Sequence, residues 1–88
     1  MSFVIVEFYG VPRLRAGVAE LRVAPGTVAE VLAEIPQHCP GLSTLLTSSG
    51  ELQPHYLLSI NGERFVTSLA EELPVGTRLL LLSADAGG

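Results

Sequence analysis

The chain has 88 residues, a net charge of −4, five arginines without any lysine, and a hydrophobic content of 48%. This length predicts one domain with a small core, and the hydrophobic content excludes a disordered chain. No basic patch is available to follow a phosphate backbone, and no apolar run approaches the roughly 20 residues of a membrane helix, so we expect neither nucleic acid nor a membrane as a partner.

Two strands are predicted in the first quarter of the chain. Residues 3–9 are rich in β-branched and aromatic side chains, which predicts a strand, and the charge of Glu7 places its side of that strand on the outer face. Residues 10–17 contain Pro12 and are bounded by glycines, so we expect a loop there. Residues 18–23 alternate apolar and charged side chains, which predicts a second strand with one dry face.

A helix is predicted to begin at Thr27. Thr27 and Glu30 have the spacing of a capping box, in which each side chain satisfies a backbone amide at the start of the helix. Pro36 is expected to kink or end the helix within about one turn. Core-facing apolar residues at helical spacing are Val28, Val31, Leu32 and Ile35, and a short helical turn with Leu42, Leu45 and Leu46 should pad the same core.

The second half of the chain predicts a hairpin and a last strand. Residues 56–60 predict a strand, Asn61-Gly62 is a dipeptide typical of a tight hairpin turn, and residues 63–66 return as a short strand. Residues 78–83 form the last strand, which is apolar on both sides and therefore favours a central position in the sheet. We expect Leu79 and Leu81 to face the core, and Leu80 and Leu82 to face outward.

This order of elements predicts an α+β fold. Two antiparallel strands, a helix, a hairpin and a final strand can form one mixed sheet with the main helix packed on one face. Placing the last strand in the middle, parallel to the first, gives the β-grasp arrangement. We assign residues 1–84 to this domain and residues 85–88 to a flexible C-terminal tail.

The tail ends in Gly87-Gly88. A terminal carboxylate is ionised at neutral pH, with a pKa of roughly 3.5, and can be activated by adenylation. Glycine has no Cβ, so two in a row can thread a narrow channel. The tail therefore suits a carboxylate that is delivered into the active site of another enzyme.

Four segments carry a resemblance that runs nearly from end to end. They are VEFYGVPRLRAGV for the first strand and its loop, PGTVAEVLAEI for the start of the helix, INGERF for the hairpin, and LPVGTRLLLLSADAGG for the last strand and tail. In these segments the chain resembles the ThiS/MoaD-like sulfur carriers, which are ubiquitin-like proteins that end in diglycine. The most specific parts are the terminal AGG and the NGE turn before it.

The resemblance implies a co-substrate rather than an enzyme. A partner adenylating enzyme would use ATP to convert the Gly88 carboxylate to an acyl-adenylate, and a sulfur donor would then form a thiocarboxylate. Gly87 would let the tail thread, and Ala86 would belong to the arm that contacts the partner. The sulfur would pass to a sulfur-accepting synthase subunit, and the chain itself would hold no permanent cofactor and no metal.

Outward apolar side chains predict a docking face for these partners, because apolar patches on small soluble proteins often mark partner sites. Packing under a loop or in a homodimer would explain the same side chains. The residues assigned to this face are Phe3, Ile5, Leu57, Leu80 and Leu82.

Other residues carry weaker signals. The single cysteine, Cys39, is expected to be buried or half-buried, and it fits a reducing cytoplasm. His38 and His55 lack partners at metal-ligand spacing and are expected at the surface. The Arg13-Leu14-Arg15 segment is either solvated or able to steer an acidic partner.

Several functions remain open at this stage. The long first loop favours the small-subunit type of a molybdopterin synthase, and a carrier for cysteine or thiamine biosynthesis is the nearest alternative. A protein modifier attached through Gly88 and a plain interaction module are different classes. Without lysine, a modifier could not build lysine-linked chains on itself.

Overall fold

The computed structural model describes residues 2–84. None of the helices in this part of the chain is both long and apolar enough to cross a bilayer. In chain order the elements are β1 (Val4–Phe8), α1 (Val11–Ala16), β2 (Glu20–Val23), β3 (Gly26–Thr27), α2 (Val28–His38), a 3₁₀ turn (Pro40–Leu42), β4 (Tyr56–Ile60), β5 (Arg64–Phe65), β6 (Glu72–Leu73) and β7 (Arg78–Ser83).

The main sheet is mixed and has the last strand at its centre. Its five strands lie in the order β2-β1-β7-β4-β5. β1 and β7 are parallel, whereas the other neighbouring strands are antiparallel. The predicted α+β, β-grasp arrangement is therefore confirmed.

The core consists of the inner face of this sheet, the apolar side of α2 and the segment that follows the 3₁₀ turn. Side chains of β7 alternate between the core and the outer face of the sheet. Leu79 and Leu81 are completely buried, while Leu80 and Leu82 are half-buried on the outer face. The largest fully buried side chains are Phe8, Leu32, Ile35, Leu42, Leu45, Leu73, Leu79 and Leu81.

The capping box at the start of α2 is present as predicted. The Glu30 amide donates to Thr27 Oγ1 at 3.2 Å, and the Thr27 amide donates to Glu30 Oε1 at 2.8 Å. Pro36 lies inside the last turn, and the helix ends at His38. The helix therefore stops within the one turn that the proline allows.

Residues 10–17, predicted as a loop, contain the helix α1, and this prediction is wrong. Pro12 lies in the first helical turn, where a proline loses no intrahelical hydrogen bond. Gly17 ends the helix in the left-handed conformation, with φ 77°. The helix packs against the 3₁₀ turn so closely that a Cβ on Gly41 would lie 1.9 Å from the carbonyl oxygen of Arg15.

The hairpin has the predicted turn but a shifted register. Asn61 and Gly62 have φ values of 56° and 72°, and the Glu63 amide donates to the Ile60 carbonyl at 2.9 Å. Ile60 nevertheless pairs with Arg64, since Glu63 is inserted as an extra residue between the turn and the ladder.

Three strands are shorter than predicted. β1 covers residues 4–8 rather than 3–9, and β5 covers residues 64–65 rather than 63–66. β2 begins at Glu20 rather than at residue 18, because the left-handed cap of α1 and the bend after it delay the start of the ladder.

A second, two-stranded sheet fixes the start of α2. β3 pairs with β6, which places Gly26 opposite Leu73. The Val28 amide donates to the Glu71 carbonyl at 2.9 Å, so the first turn of the helix is tied to the loop before β7. Leu73 is 2% exposed and anchors that loop in the core.

Candidate functional site

The central strand leads out of the fold at a fixed point. β7 is held between β1 and β4 and ends at Ser83, and the Ala84 amide then donates to the His55 carbonyl at 2.8 Å. The predicted site residues Ala86, Gly87 and Gly88 lie outside the described residues. The chain that carries them therefore departs from the middle of the sheet and not from an edge.

An outer apolar cluster lies beside this exit, on the sheet face opposite the core. It consists of Leu57, Phe65, Leu80 and Leu82. Leu57 pairs with Leu82, and Ser59 pairs with Leu80 on one side and Phe65 on the other, so all five side chains share one face. Leu57 is 40% exposed and Phe65 is 60% exposed. Three of the predicted docking residues are thus neighbours.

Phe65 belongs to this cluster although the sequence analysis does not single it out. A hairpin without the inserted residue would pair Ile60 with Glu63 and would turn Phe65 toward the core. The shift by one residue reverses its direction, because side chains alternate between the two faces of a strand. The direction of Phe65 therefore depends on the strand register, which the residue type alone does not reveal.

The other two predicted docking residues lie at the far end of the sheet. Ile5 pairs with Arg78 at the start of β7, and Phe3 is 38% exposed beside it. In this register Glu7 pairs with Leu80, one step along the same face from the Ile5–Arg78 pair. The ion pair between Glu7 and Arg78 therefore lies between Ile5 and Leu80. The predicted docking face is therefore divided into two apolar regions by a charged pair.

The ion pair between Glu7 and Arg78 belongs to a small polar network on the outer face. Tyr9 donates its hydroxyl hydrogen to Glu7 Oε1 at 2.7 Å, Arg78 is ion-paired to Glu7, and Arg78 also lies 3.9 Å from a carboxylate oxygen of Glu20. The hydrogen bond from Tyr9, opposed by partial burial and helped by Arg78, lowers the pKa of Glu7. The same hydrogen bond raises the pKa of Tyr9.

The remaining candidate groups are not arranged for chemistry. Cys39 is 1% exposed, and burial raises the pKa of its thiol, which makes it a poor nucleophile. His38 is exposed and lies 3.8 Å from Glu34, and His55 is exposed. Between residues 2 and 84, no three His, Cys, Asp or Glu side chains are grouped so that they could hold a metal ion.

Comparison with known proteins gives structural matches over nearly the whole chain. Scans against family models and curated proteins find no match. SAMP1 from Haloferax volcanii is 27% identical, with a TM-score of 0.82 and coverage of 98% of this chain and 99% of that one. A chain of the BexX/CysO complex from Amycolatopsis orientalis is 24% identical, with a TM-score of 0.79 and coverage of 97% and 99%. The putative molybdopterin converting factor, subunit 1, from Pyrococcus furiosus is 21% identical, with a TM-score of 0.74 and coverage of 94% and 98%.

The fold and the outer face define a ubiquitin-like β-grasp protein. Within that class its structural matches include ThiS/MoaD-like proteins, which confirms the resemblance of its sequence. Its general role is that of a ubiquitin-like carrier or modifier.

Proposed function

We propose that the chain is a sulfur carrier that is adenylated at Gly88 and carries sulfur as a thiocarboxylate in a molybdopterin synthase type of system. A carboxylate oxygen of Gly88 attacks the α-phosphorus of ATP on a partner adenylating enzyme, and pyrophosphate leaves. The terminal sulfur of a donor persulfide attacks the carbonyl carbon, and AMP leaves. A thiol then cleaves the acyl disulfide, which releases the thiocarboxylate and forms a new disulfide.

In this scheme the chain is a co-substrate. Gly88 carries the group, Gly87 allows close passage through a channel because it has no Cβ, and Ala86 contacts the partner. ATP belongs to the adenylating enzyme, and this chain retains no cofactor. The sulfur passes to a synthase subunit in the cytoplasm.

The observation that carries the proposal is the position of β7. The strand ends at the middle of the sheet, beside the outer apolar cluster, and continues directly into the segment with Gly87-Gly88. An enzyme that takes up the tail must also hold the domain, and an exposed apolar patch next to the exit provides a surface for that contact. The rigid support of β7 on both sides fixes the distance between patch and exit.

The choice of pathway has weaker support. The long connection between β1 and β2, which contains α1, favours the small-subunit type of molybdopterin synthase, and the fold match to the Pyrococcus furiosus factor agrees with it. Cysteine or thiamine biosynthesis is the alternative within the same chemistry, and residues 40–63 resemble carriers that serve cysteine synthesis.

A protein modifier is the second candidate, and one specific observation favours it. The Haloferax volcanii match is a small archaeal modifier protein and is more similar in sequence than the Pyrococcus furiosus match. In that role Gly88 would be joined to lysines of target proteins. High-molecular-weight adducts of this chain in extracts of its host would favour this function over the carrier.

The test is the intact mass of the protein purified from its native host without strong reductant or alkylating agent. We expect a species heavier by the mass difference between sulfur and oxygen, with the change localised by fragmentation to Gly88 and not to Met1 or Cys39. Only unmodified mass, even after incubation with ATP, a sulfur donor and the adenylating enzyme of the host, would contradict the carrier function.

A further inference from the structure

The hairpin turn contains a dipeptide whose side chain and backbone can react with each other. Asn61 is the only asparagine among the 88 residues, Gly62 follows it directly, and both residues are exposed. The backbone nitrogen after an asparagine can attack the carbon of its side-chain amide, and glycine hinders this attack least because it has no Cβ. The Gly62 amide donates no hydrogen bond within residues 2–84, so its nitrogen is not occupied by another contact.

Deamidation, which makes asparagine a thermolabile residue, needs no reagent except water. The Gly62 nitrogen gives up its proton to water and attacks Cγ of Asn61, so that a C–N bond forms and the side-chain nitrogen takes up a proton and leaves as ammonia. The product is a five-membered succinimide ring, and water then breaks one of the two C–N bonds to its carbonyl carbons. Hydrolysis at Cγ leaves aspartate in an ordinary main chain. Hydrolysis at the former peptide carbonyl leaves isoaspartate, whose main chain runs through Cβ and Cγ.

The folded turn keeps the two reacting atoms apart. Asn61 has φ 56°, in the left-handed region, where ψ is about +30 to +60°. At such ψ values the Gly62 nitrogen lies nearly opposite Cβ across the Cα–C bond of Asn61, and Cγ is attached to Cβ. Ring closure needs the nitrogen and Cβ on the same side of this bond, which requires a rotation of roughly half a turn.

Three backbone and side-chain hydrogen bonds oppose that rotation. Two of them join Asn61 to Arg78: the Asn61 amide donates to the Arg78 carbonyl at 2.7 Å, and Asn61 Oδ1 accepts from the Arg78 amide at 2.9 Å. The third closes the turn, where the Glu63 amide donates to the Ile60 carbonyl at 2.9 Å. Rotation at Asn61 would swing Gly62 and Glu63 away from Ile60, so the reactive geometry requires the hairpin to open.

We propose that Asn61 is a conditional deamidation site, which is protected while the hairpin is folded and is modified when the hairpin opens. β5 has only two residues, both are exposed, and the strand lies at the edge of the sheet. Segments with little buried apolar area belong to the part of a protein that opens at the lowest cost in free energy. The turn therefore records, as an irreversible chemical change, how often β5 leaves β4.

The two products fit the turn differently. Aspartate also visits the left-handed conformation, and its carboxylate can accept from the Arg78 amide as Asn61 Oδ1 does, so this product should keep the fold. Isoaspartate adds one carbon to the main chain between Ile60 and Gly62, and the spacing that lets both bonds to Arg78 form is lost. Loss of the hairpin would also displace Phe65 from the outer apolar cluster.

The experiment follows the intact mass of the full chain during incubation at mildly alkaline pH, without urea and in urea above the unfolding transition. Each deamidation replaces NH₂ by OH, and fragmentation localises the change and distinguishes aspartate from isoaspartate. We expect the folded chain to react about tenfold more slowly than the unfolded chain, or slower still, because the bonds to Arg78 must first break. A short peptide that spans the turn, measured with and without urea, corrects for any direct effect of urea. N61G is the matched control without asparagine.

Equal rates in the folded and the unfolded chain, after the correction from the peptide, would show that the turn gives no protection. An unfolded chain without any mass increase at Asn61, or with an increase that N61G shows equally, would show that Asn61 is not the site. N61D reproduces the aspartate product and should unfold close to the temperature of the wild type. The isoaspartate form, separated by chromatography after refolding, should unfold at a lower temperature, and unfolding together with the wild type would contradict the loss of the hairpin.

Discussion

Asn61 has a left-handed backbone conformation, with φ 56°, which few residues other than glycine adopt. Its side-chain oxygen accepts from the Arg78 amide at 2.9 Å, and its own amide donates to the Arg78 carbonyl at 2.7 Å. The residue therefore joins the hairpin to the start of β7. We expect N61A to reduce the free energy of unfolding by about 2 kcal/mol, because it loses a hydrogen bond and keeps a strained φ.

The comparison variant for this prediction is N61G. Glycine loses the same hydrogen bond but adopts a positive φ without strain, so N61G should cost about 1 kcal/mol less than N61A. Urea unfolding curves give both values. If the two variants have equal free energies of unfolding, backbone strain does not contribute at this position.

Glu7 makes the stability of the protein depend on pH. Its pKa is lowered below the usual value of 4.5, chiefly by the hydrogen bond from Tyr9 and also by Arg78. A lowered folded-state pKa gives stability that is present above the unfolded value and is lost as the pH falls through the folded value. The free-energy difference between wild type and E7Q should therefore be largest above pH 4.5 and shrink below it.

A direct measurement would test the assignment of the cause. NMR titration of the Glu7 carboxyl group should show that Y9F moves its pKa upward toward 4.5 while Arg78 remains in place. If Y9F leaves the pKa of Glu7 unchanged, the hydrogen bond from Tyr9 is not the main cause of the shift.

At the scale of elements, Gly41 determines where α1 can lie. Its φ is not positive, so the requirement is for space alone: an added Cβ would lie 1.9 Å from the carbonyl oxygen of Arg15, which is backbone. We expect G41A to cost about 1–3 kcal/mol of unfolding free energy and to change the amide chemical shifts of α1. G26A is the contrast, because its Cβ would meet a side-chain atom, Oε1 of Glu30, and not backbone. Displacing that atom would sacrifice the capping-box hydrogen bond to the Thr27 amide, so G26A should cost about 1 kcal/mol.

The alternation of β7 gives a second prediction for an element. Leu81 is completely buried, whereas Leu80 is half-buried on the outer face. L81A should lower the free energy of unfolding by about 2–5 kcal/mol, as expected for a leucine in a packed core. L80A should cost about 1 kcal/mol, since it removes apolar area that is already partly in water. Similar losses for the two variants, measured by urea unfolding, would contradict the assignment of the faces.

The sequence predicts the elements whose own residues carry a recognisable pattern. The capping box at Thr27 marks the start of α2, and the alternation along β7 reveals both of its faces. By contrast, α1 spans six residues with Pro12 as its buried residue, so no helical periodicity is visible. It packs closely against Gly41, which is distant in sequence. The short strands β3 and β6 pair across the fold and leave no pattern of their own.

At the scale of the whole molecule, the candidate site was predictable in part. The outward direction of Leu80 and Leu82 follows from the alternation of one strand. The place of Phe65 depends on the register of the hairpin, and the division of the outer face depends on the pairing of Glu7 with Arg78 across parallel strands. Neither pairing is encoded in a local pattern, because each is decided by which strand lies beside which.

We expect the outer apolar cluster to be too small to hold a permanent dimer. Stable interfaces bury about 1,600 Å² in total, with a continuous apolar centre. Here four side chains, of which Leu80 and Leu82 are half-buried, are bordered by the Glu7–Arg78 ion pair. We therefore expect a monomer in sedimentation equilibrium, and a transient contact with the adenylating enzyme. A dimer that L57S/L80S converts to a monomer would assign the cluster to self-association instead.

The proposed function predicts separable roles for the fold and the tail in that contact. The core lies in residues 2–84, so deletion of Gly87-Gly88 should leave the thermal unfolding temperature unchanged. The deleted chain should not be adenylated, but it should inhibit adenylation of the wild type competitively, since under the proposed function the outer apolar cluster would still bind the enzyme. L57S/L80S should show the opposite behaviour, with KM raised about tenfold and kcat retained, because lost apolar contacts weaken binding without removing the carboxylate. If the deleted chain does not compete, the enzyme recognises the tail alone and the cluster has no part in docking.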